Sequence, residues 1–228
     1  MKIIARINSD FVTKFGIPRQ SGIVNDVKST IIFEPEYRNN DAVRGLDGFS
    51  HIWLIWQFSE AVREEFTPLV RPPRLGGNTY MGVFATRSPY RPNSMGLSCV
   101  KLDRIEFSDT LGPILHISGA DLMNGTPIFD IKPYLPFTDS HPEATSGFSP
   151  DSDDISLKVN CPSELLCRLP QNKQKAVLEL LRLDPRPQYH DNPERVYGMS
   201  FAGFDIKFTV SEKTLTVRDI IKLVQEEG

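Results

Sequence analysis

Arginine and proline are concentrated in one segment of this chain, residues 71–96, with the sequence RPPRLGGNTYMGVFATRSPYRPNSMG. These 26 residues contain four arginines and four prolines. A guanidinium group binds anions and carbonyls through a planar fork of donors, and proline and glycine hold a backbone in a fixed, non-helical shape. The segment therefore predicts a rigid binding site for an anionic partner, with a solvated loop of incidental arginines as the alternative.

The composition limits what kind of anion binder this chain can be. Its 228 residues suit one large domain, or an ordinary domain with a small addition. The net charge of −3 means that a polyanion must meet a local basic patch, for which Arg71, Arg74, Arg87 and Arg91 are the candidates. Three cysteines without a CxxC pair favour a reducing compartment and no metal site. The start MKIIARINSDF has no long apolar region, and no apolar run reaches membrane length, so we expect a cytoplasmic protein without membrane contact.

Short apolar runs rich in Val, Ile and Phe recur between turn signals in the first part of the chain. Their length and spacing predict an antiparallel β-barrel or sandwich, with one helical turn at 41–46. The expected strands are residues 2–7, 22–27, 29–33, 51–58, 81–85, 98–107, 114–120 and 127–133.

The polar, turn-rich stretch TDSHPEATSGFSPDSDD at 138–154 divides the chain. We expect a β-barrel domain at 1–140, a linker or mobile loop at 141–159 and a small α+β domain at 160–228. In that last domain the leucine spacing of 162–183 predicts an amphipathic helix, broken near Pro170. The other expected elements are strands at 196–201 and 204–210, an extended piece at 214–217 and a closing helix at 220–225.

Three further polar motifs each allow a functional and a structural interpretation. DLMNGTP at 121–127 has turn chemistry and suits main-chain reading of an adenine edge, or else an ordinary hairpin turn. DIKPYLPF at 130–137 places Asp130, Lys132 and Tyr134 on one face of a strand, which suits a ligand wall or a solvated face. DPRPQY at 184–189 places an arginine between two prolines near a tyrosine, which suits a tRNA contact or a turn that only ends the helix and packs the small domain. The chain has no GxGxxG, GxxxxGK[ST] or HExxH motif, which argues against Rossmann, P-loop and zinc-protease chemistry.

Taken in order, these motifs resemble one known family. GIPRQSGIV, AVRGLDGFSHIWLIW, VRPPRLGG, MGVFATRSPYRPNS, DLMNGTPIFDIKPYLPF and DPRPQY are similar to the TsaA-like family of bacterial tRNA methyltransferases, of the TrmO type. The resemblance is dense over residues 3–140. It implies a small antiparallel β-barrel that binds S-adenosyl-L-methionine, a homodimer with the donor site close to the subunit interface, and a tRNA anticodon loop as substrate. The implied reaction is N6-methylation of threonylcarbamoyladenosine at tRNA position 37.

The resemblance also implies the residues that contact the methyl donor. Relatives often carry His-Gln where this chain has Ser59-Glu60, so at these two positions we expect main-chain contacts with the donor to remain. Relatives also often carry Asp at the position of Asn124, which can still complete the turn. Ser94-Met95 replaces a frequent Pro-Ile. The implied donor contacts are Pro18, Arg19, Gln20, Ser59, Glu60, Arg87, Leu97, Asp121, Leu122, Met123 and Asn124.

The implied chemistry needs an in-line approach of N6 to the sulfonium methyl group. The attacking nitrogen belongs to a urea-like group and becomes a good nucleophile only when it loses its proton. Asp130 is our candidate general base, and Arg91 is the candidate cation that favours the urea anion. Arg71 or Arg74 suits the threonyl carboxylate. For tRNA itself we expect contacts from Arg71, Arg74, Arg186 and Tyr189.

Two other classes of function use the same residues. A non-catalytic module that binds S-adenosyl-L-methionine and signals would show binding without turnover on tRNA. A hydrolase with an anion site would need a nucleophile or metal cluster, which the sequence does not show.

Overall fold

The computed structural model describes residues 1–72, 75, 78–149, 156–186 and 192–223. Its strands are β1 (Ala5–Asn8), β2 (Lys28–Phe33), β3 (His51–Gln57), β4 (Leu69–Val70), β5 (Met81–Gly82), β6 (Met95–Ser108), β7 (Gly112–Ser118), β8 (Pro127–Pro133), β9 (Lys158–Asn160), β10 (Tyr197–Phe201), β11 (Phe204–Ser211) and β12 (Thr214–Lys222). The α-helices are α1 (Pro136–Asp139), α2 (Ser163–Leu166) and α3 (Gln171–Arg182). The 3-10 turns are Pro35–Tyr37, Asn40–Val43, Leu46–Gly48, Ser59–Ala61 and Val83–Ala85.

Six strands close into a barrel in the order β1-β2-β7-β6-β3-β8, which confirms the predicted barrel and excludes a sandwich. β1 pairs antiparallel with β2 and β8, and β3 pairs antiparallel with β6 and β8. In β3, Ile52, Leu54 and Trp56 are buried while the residues between them are partly exposed. This two-residue alternation is typical of a strand with one face in the core.

The C-terminal residues form a four-stranded sheet in the order β10-β11-β12-β9, with the helices α2 and α3. β9 and β12 are parallel, whereas the other two pairings are antiparallel. Pro170 separates the two helices, as predicted, because proline has no N–H to donate inside a helix. α3 buries Ala176, Val177, Leu180 and Leu181, so the predicted α+β character is confirmed.

The described chain groups into two compact units. Unit 1 comprises residues 1–8, 30–117 and 125–149. Unit 2 comprises 9–29, 118–124 and the described part of 150–228. The core of unit 2 includes Phe11, Val24 and Val27 together with the residues of the C-terminal sheet and helices. The C-terminal module is therefore completed by a segment from near the start of the chain.

Three predicted elements differ in the structure. Residues 22–27 form turns and no strand, because Gly22 has a φ of 78° and the Val27 N–H closes onto the Val24 carbonyl. The expected helix at 220–225 is wrong, because β12 continues to Lys222, which pairs with Phe204 of β11. The expected strand at 81–85 ends at Gly82 and continues as a 3-10 turn.

In the part of the chain that the structure describes, no helix combines the length and hydropathy needed to cross a membrane.

Candidate functional site

Ser59 and Glu60 lie in a 3-10 turn that follows β3. The Phe58 N–H donates to the Ser94 carbonyl at 2.9 Å, which ties this turn to the start of β6. Burial of Ala61 anchors the other end of the turn. Ser59 and Glu60 themselves are exposed, so the turn presents both to solvent next to the end of the arginine-rich segment.

The loop at 86–94 is closed by its own hydrogen bonds. Arg91 Nη1 donates to the Thr86 carbonyl at 2.8 Å, and the Ser94 N–H donates to the Arg91 carbonyl at 3.2 Å. Ser94 is buried and has a φ of 38°, in the left-handed region that non-glycine residues rarely adopt. Such strain persists where the surroundings fix it, and it is common at functional sites. Arg91 therefore shapes the loop on which the exposed Arg87 lies.

A row of side chains crosses three neighbouring strands on the outer face of the barrel. Asp130 of β8 lies opposite Ile55 of β3, and Ile55 lies opposite Leu97 of β6. Leu97 is 58% exposed, which is unusual for a leucine in a central strand. The Asp130 carboxylate accepts from the Ile131 N–H at 2.9 Å and lies 3.4 Å from Lys132 Nζ. An apolar contact and a carboxylate thus share one outward-facing row.

Close packing against Trp56 fixes the strand that carries Leu97. A Cβ atom on Gly96 would lie 2.3 Å from Trp56 Cε2, so the ring occupies space that only glycine leaves open. Trp56 Nε1–H donates to Ser98 Oγ at 3.0 Å, and its ring centroid is 4.3 Å from that of Phe58. One buried ring therefore supports both Leu97 and the turn after β3.

The turn at 121–124 belongs to unit 2 and is held by the N-terminal segment. Ser9 Oγ donates to the Leu122 carbonyl at 2.9 Å, and the Ser9 N–H donates to Asn124 Oδ1 at 3.1 Å. The Asn124 N–H donates to the Phe11 carbonyl at 2.8 Å. Asn124 thus makes the turn that Asp would make. Leu122 is fully buried, so its side chain packs in the core.

Pro18, Arg19 and Arg186 line the same cavity, of about 210 Å³, in unit 2. Arg186 donates to both carboxylate oxygens of Asp184, at 2.8 and 2.9 Å, and its side chain is only 14% exposed. The Gln20 side-chain amide donates to the Arg19 carbonyl. The structure therefore brings two predicted donor residues together with one predicted tRNA residue. The whole lining consists of residues 14–19, Leu180 and residues 183–186.

The remaining predicted residues lie elsewhere or outside the described chain. Arg71 packs over the Tyr80 ring, with 4.5 Å from its guanidinium carbon to the ring centroid, and donates to the Tyr80 hydroxyl. Arg74 and Tyr189 lie outside the described residues. Among the described residues, no group of three or more His, Cys, Asp or Glu side chains is arranged to hold a metal ion.

Several residues that support the site were missed in the sequence. Asp10 forms an ion pair with Lys173 of α3, which holds the segment leading to Pro18. Ser9, Ser94 and Trp56 support the turns described above. A positive φ at serine and an ion pair between residues 163 positions apart leave no sequence pattern, so only the fold reveals them.

Two family models match this chain. The model of the tRNA-methyltransferase O N-terminal domain matches residues 6–140, and the model of the TrmO C-terminal domain matches residues 156–223.

The chain belongs to the TrmO family.

Proteins of known name and structure agree with this assignment. The tRNA (adenine(37)-N6)-methyltransferase of Escherichia coli is 38% identical over 218 residues, which cover 92% of each chain. A Pseudomonas aeruginosa protein named as a putative S-adenosylmethionine-dependent methyltransferase, RcsF, is 36% identical and covers 89% of each chain. A crystal structure of TrmO from Pseudomonas aeruginosa superposes with a TM-score of 0.76 at 31% identity, covering 96% of each chain.

The family domains and the compact units divide the chain differently. Residues 9–29 and 118–124 fall inside the N-terminal TrmO domain by sequence, yet they group with unit 2 by contact. The two groups of predicted donor residues accordingly belong to different units. Ser59, Glu60, Arg87 and Leu97 belong to unit 1, and residues 18–20 and 121–124 belong to unit 2.

Proposed function

We propose that this TrmO-family chain transfers a methyl group from S-adenosyl-L-methionine to N6 of adenosine 37 in tRNA, with threonylcarbamoyladenosine as the form methylated. The observation that carries the proposal is the match of both TrmO domains in order along one chain. The closed barrel supports it further, because the family resemblance implies a small antiparallel β-barrel as the donor-binding domain. The name of the Escherichia coli relative supports the base and the position, and that of the Pseudomonas aeruginosa relative supports the methyl donor.

Two features suit parts of such a donor, one in each compact unit. Leu97 offers exposed apolar surface to an aromatic ring, and the turn at 121–124 offers main-chain groups held by Ser9. Bound S-adenosyl-L-methionine supplies a sulfonium methyl group that transfers without a metal ion. We propose that the donor contacts are Pro18, Arg19, Gln20, Ser59, Glu60, Arg87, Leu97, Asp121, Leu122, Met123 and Asn124, with Leu122 contributing only main-chain atoms.

The protein must orient N6 and remove its proton. In the transfer, a bond forms between N6 and the methyl carbon while the carbon–sulfur bond breaks and its electron pair stays on sulfur. Asp130 is the proposed general base, because its half-exposed carboxylate lies in the same row as Leu97. Arg91 is the proposed cation beside the urea group. Its tie to Thr86 holds it in place, and preorganised charge lowers a barrier more than mobile charge does.

For tRNA we propose contacts from Arg71, Arg74 and Tyr189. Arg186 already holds Asp184, so we assign it a role in shaping the wall of the cavity that Pro18 and Arg19 also line. We further propose that the protein acts as a cytoplasmic homodimer, as the family resemblance implies.

The proposal is tested by incubating the protein with labelled S-adenosyl-L-methionine and tRNA, with and without prior threonylcarbamoylation. Nucleoside analysis should show the label on N6 of the modified adenosine, and a chelator should have no effect. Asp130→Asn should reduce the methylation rate while donor affinity is kept. Asp109→Asn, an exposed acid in the β6–β7 turn, is the matched control and should be fully active. Donor binding without labelled tRNA under any condition would instead indicate a sensing module.

A further inference from the structure

Exposed aromatic side chains cluster in one segment of unit 1. Among the described residues, six aromatic side chains are strongly exposed, and four of them lie between Phe66 and Tyr90. Phe84 is 72% exposed and Phe66 is 52% exposed. Large exposed apolar side chains that occur together mark an interaction surface, whereas isolated ones are ordinary.

Each of these four rings already packs against a ring or a guanidinium group. Phe66 and Phe84 are stacked, with 6.2 Å between ring centroids and 23° between ring planes. Arg63 lies over the Tyr90 ring at 3.8 Å, and Arg71 packs over Tyr80 as described above. A guanidinium plane on an aromatic ring presents a flat cationic layer. Such planes and rings are the side chains on which unstacked nucleobases pack.

The charge of the same segment suits a polyanion. Residues 61–94 contain five arginines and the two glutamates Glu64 and Glu65, a net charge of +3 in a chain whose total net charge is −3. The positive charge is therefore concentrated in the same segment of the sequence as the exposed rings. A phosphate backbone gains from such a patch even when the whole protein is acidic.

We infer that the arginine–aromatic surface, defined as Arg63, Phe66, Arg71, Tyr80, Phe84 and Tyr90, binds the unpaired bases of the RNA loop, with Phe66 and Phe84 as the stacking platform. This inference rests on the proposed function, which supplies a tRNA partner. It adds that the loop bases are held by stacking, and that arginine contacts to phosphate are only part of the affinity. A second copy of this chain is the rival occupant, since aromatic residues and arginine are also enriched at protein interfaces.

The test measures binding to an RNA hairpin with the stem and loop of the anticodon arm, carrying a fluorescent adenine analogue in the loop. Phe84→Ala should weaken affinity about tenfold, as expected for the loss of one base stack. It should also abolish the quenching that accompanies stacking. The slope of affinity against salt should stay as in wild type, because no phosphate contact is removed. Arg63→Gln should reduce both affinity and slope. Phe137→Ala, 87% exposed on α1, is the matched control and should bind normally.

The outcomes separate the two proposals. This inference alone is overturned if the wild-type protein methylates tRNA while the Phe84→Ala variant still quenches the probe and binds the hairpin as tightly as wild type. Phe84→Ala protein that sediments as a smaller species than wild type also overturns it, because the surface would then join two copies. Wild-type protein that neither binds the hairpin nor methylates tRNA would remove the proposed function and this inference together. Unchanged donor affinity in every variant is expected, and it confirms that each one is folded.

Discussion

The two groups of proposed donor residues are held by different kinds of contact. In unit 1, Leu97 and the turn after β3 are supported by one buried ring and by hydrogen bonds from neighbouring strands. In unit 2, residues 18–20 lie in a segment without helix or strand, which the C-terminal module holds through long-range packing and hydrogen bonds. The barrel positions its residues through backbone pairing, whereas unit 2 does so through contacts between distant parts of the sequence.

The contacts in unit 2 show how this second mode operates. Phe11 packs on Phe201 with 5.2 Å between ring centroids. Gly16 has a φ of 89°, and a Cβ there would lie 2.5 Å from Met199 Cγ, so the chain passes directly over β10. The Ala202 N–H donates to the Asp10 carbonyl at 3.1 Å. The C-terminal module therefore holds the segment that leads to the proposed donor residues 18–20.

The largest effect is expected from Gly96→Ala in unit 1. The new methyl group would overlap the Trp56 ring, and neither the strand nor the ring can move without breaking the Trp56–Ser98 hydrogen bond. Overpacking of this kind costs about 1–3 kcal/mol, and we expect the upper end of that range. Urea unfolding measures the loss. Gly48→Ala is the control, because a Cβ there meets nothing within 4 Å, and equal losses in both variants would show that the contact with Trp56 is not decisive.

A smaller effect is expected when the long-range ion pair of unit 2 is removed. Lys173→Met leaves the Asp10 carboxylate, which is mostly buried, without its ammonium partner. We expect a loss of about 1–3 kcal/mol in stability, with weaker donor binding because the segment leading to Pro18 is released. Chemical unfolding and calorimetry measure the two effects.

Lys175→Met on the same helix is the control for that prediction. Lys175 pairs with Asp26, but its side chain is exposed to solvent, and exposed ion pairs contribute little. Its stability and donor affinity should therefore stay near those of wild type. If Lys173→Met behaved in the same way, the ion pair would not be what holds the N-terminal segment.

The same difference explains how much the sequence could predict. The barrel strands follow from a two-residue hydrophobic period, and the helix break follows from Pro170, because both are local patterns. Residues 22–27 were predicted as a strand because Val24 and Val27 are apolar. The structure instead places both in the core of unit 2 through turns. Contacts such as Asp10–Lys173 have no local pattern, so the assembly of unit 2 could not be predicted. The proposed donor residues follow from the family resemblance, whereas their division between the two units is visible only in the fold.

Intermediate effects are expected from replacing Arg186 of unit 2 and Arg71 of unit 1, and the two replacements should affect different ligands. Arg186 holds Asp184 beside Pro18, and Asp184 has a φ of 49°, so Arg186→Ala should loosen the wall of that cavity. We expect a loss of about 1 kcal/mol in stability and a several-fold weaker donor affinity. Arg186→Lys should not restore either the stability or the donor affinity, because an ammonium cannot replace a bidentate fork.

Arg71→Ala in unit 1 should weaken tRNA binding alone. Calorimetry with the donor and binding assays with tRNA measure these effects, and equal donor affinities for Arg71→Ala and Arg186→Ala would remove the cavity from the donor site.

The smallest effect concerns the acid that ties α1 to the barrel. Asp139 accepts from the Leu135 N–H and from Trp53 Nε1–H, both at 2.9 Å, and these hydrogen bonds hold its pKa below the usual range for aspartate. A carboxylate with a lowered pKa stabilises the folded state above its unfolded pKa of about 4 and loses that contribution as the pH falls through the folded value. Asp139→Asn should therefore be less stable than wild type at pH 6, and the difference should shrink below about pH 4. Because the hydrogen bonds to Asp139 come from neutral donors, the stability difference between the two proteins at pH 6 should depend little on salt. The contribution of an ion pair such as Asp10–Lys173 would depend on it more. Thermal unfolding of both proteins across this pH range measures the effect, and a difference that stays constant down to acid pH would show that the charge of Asp139 is not what holds α1.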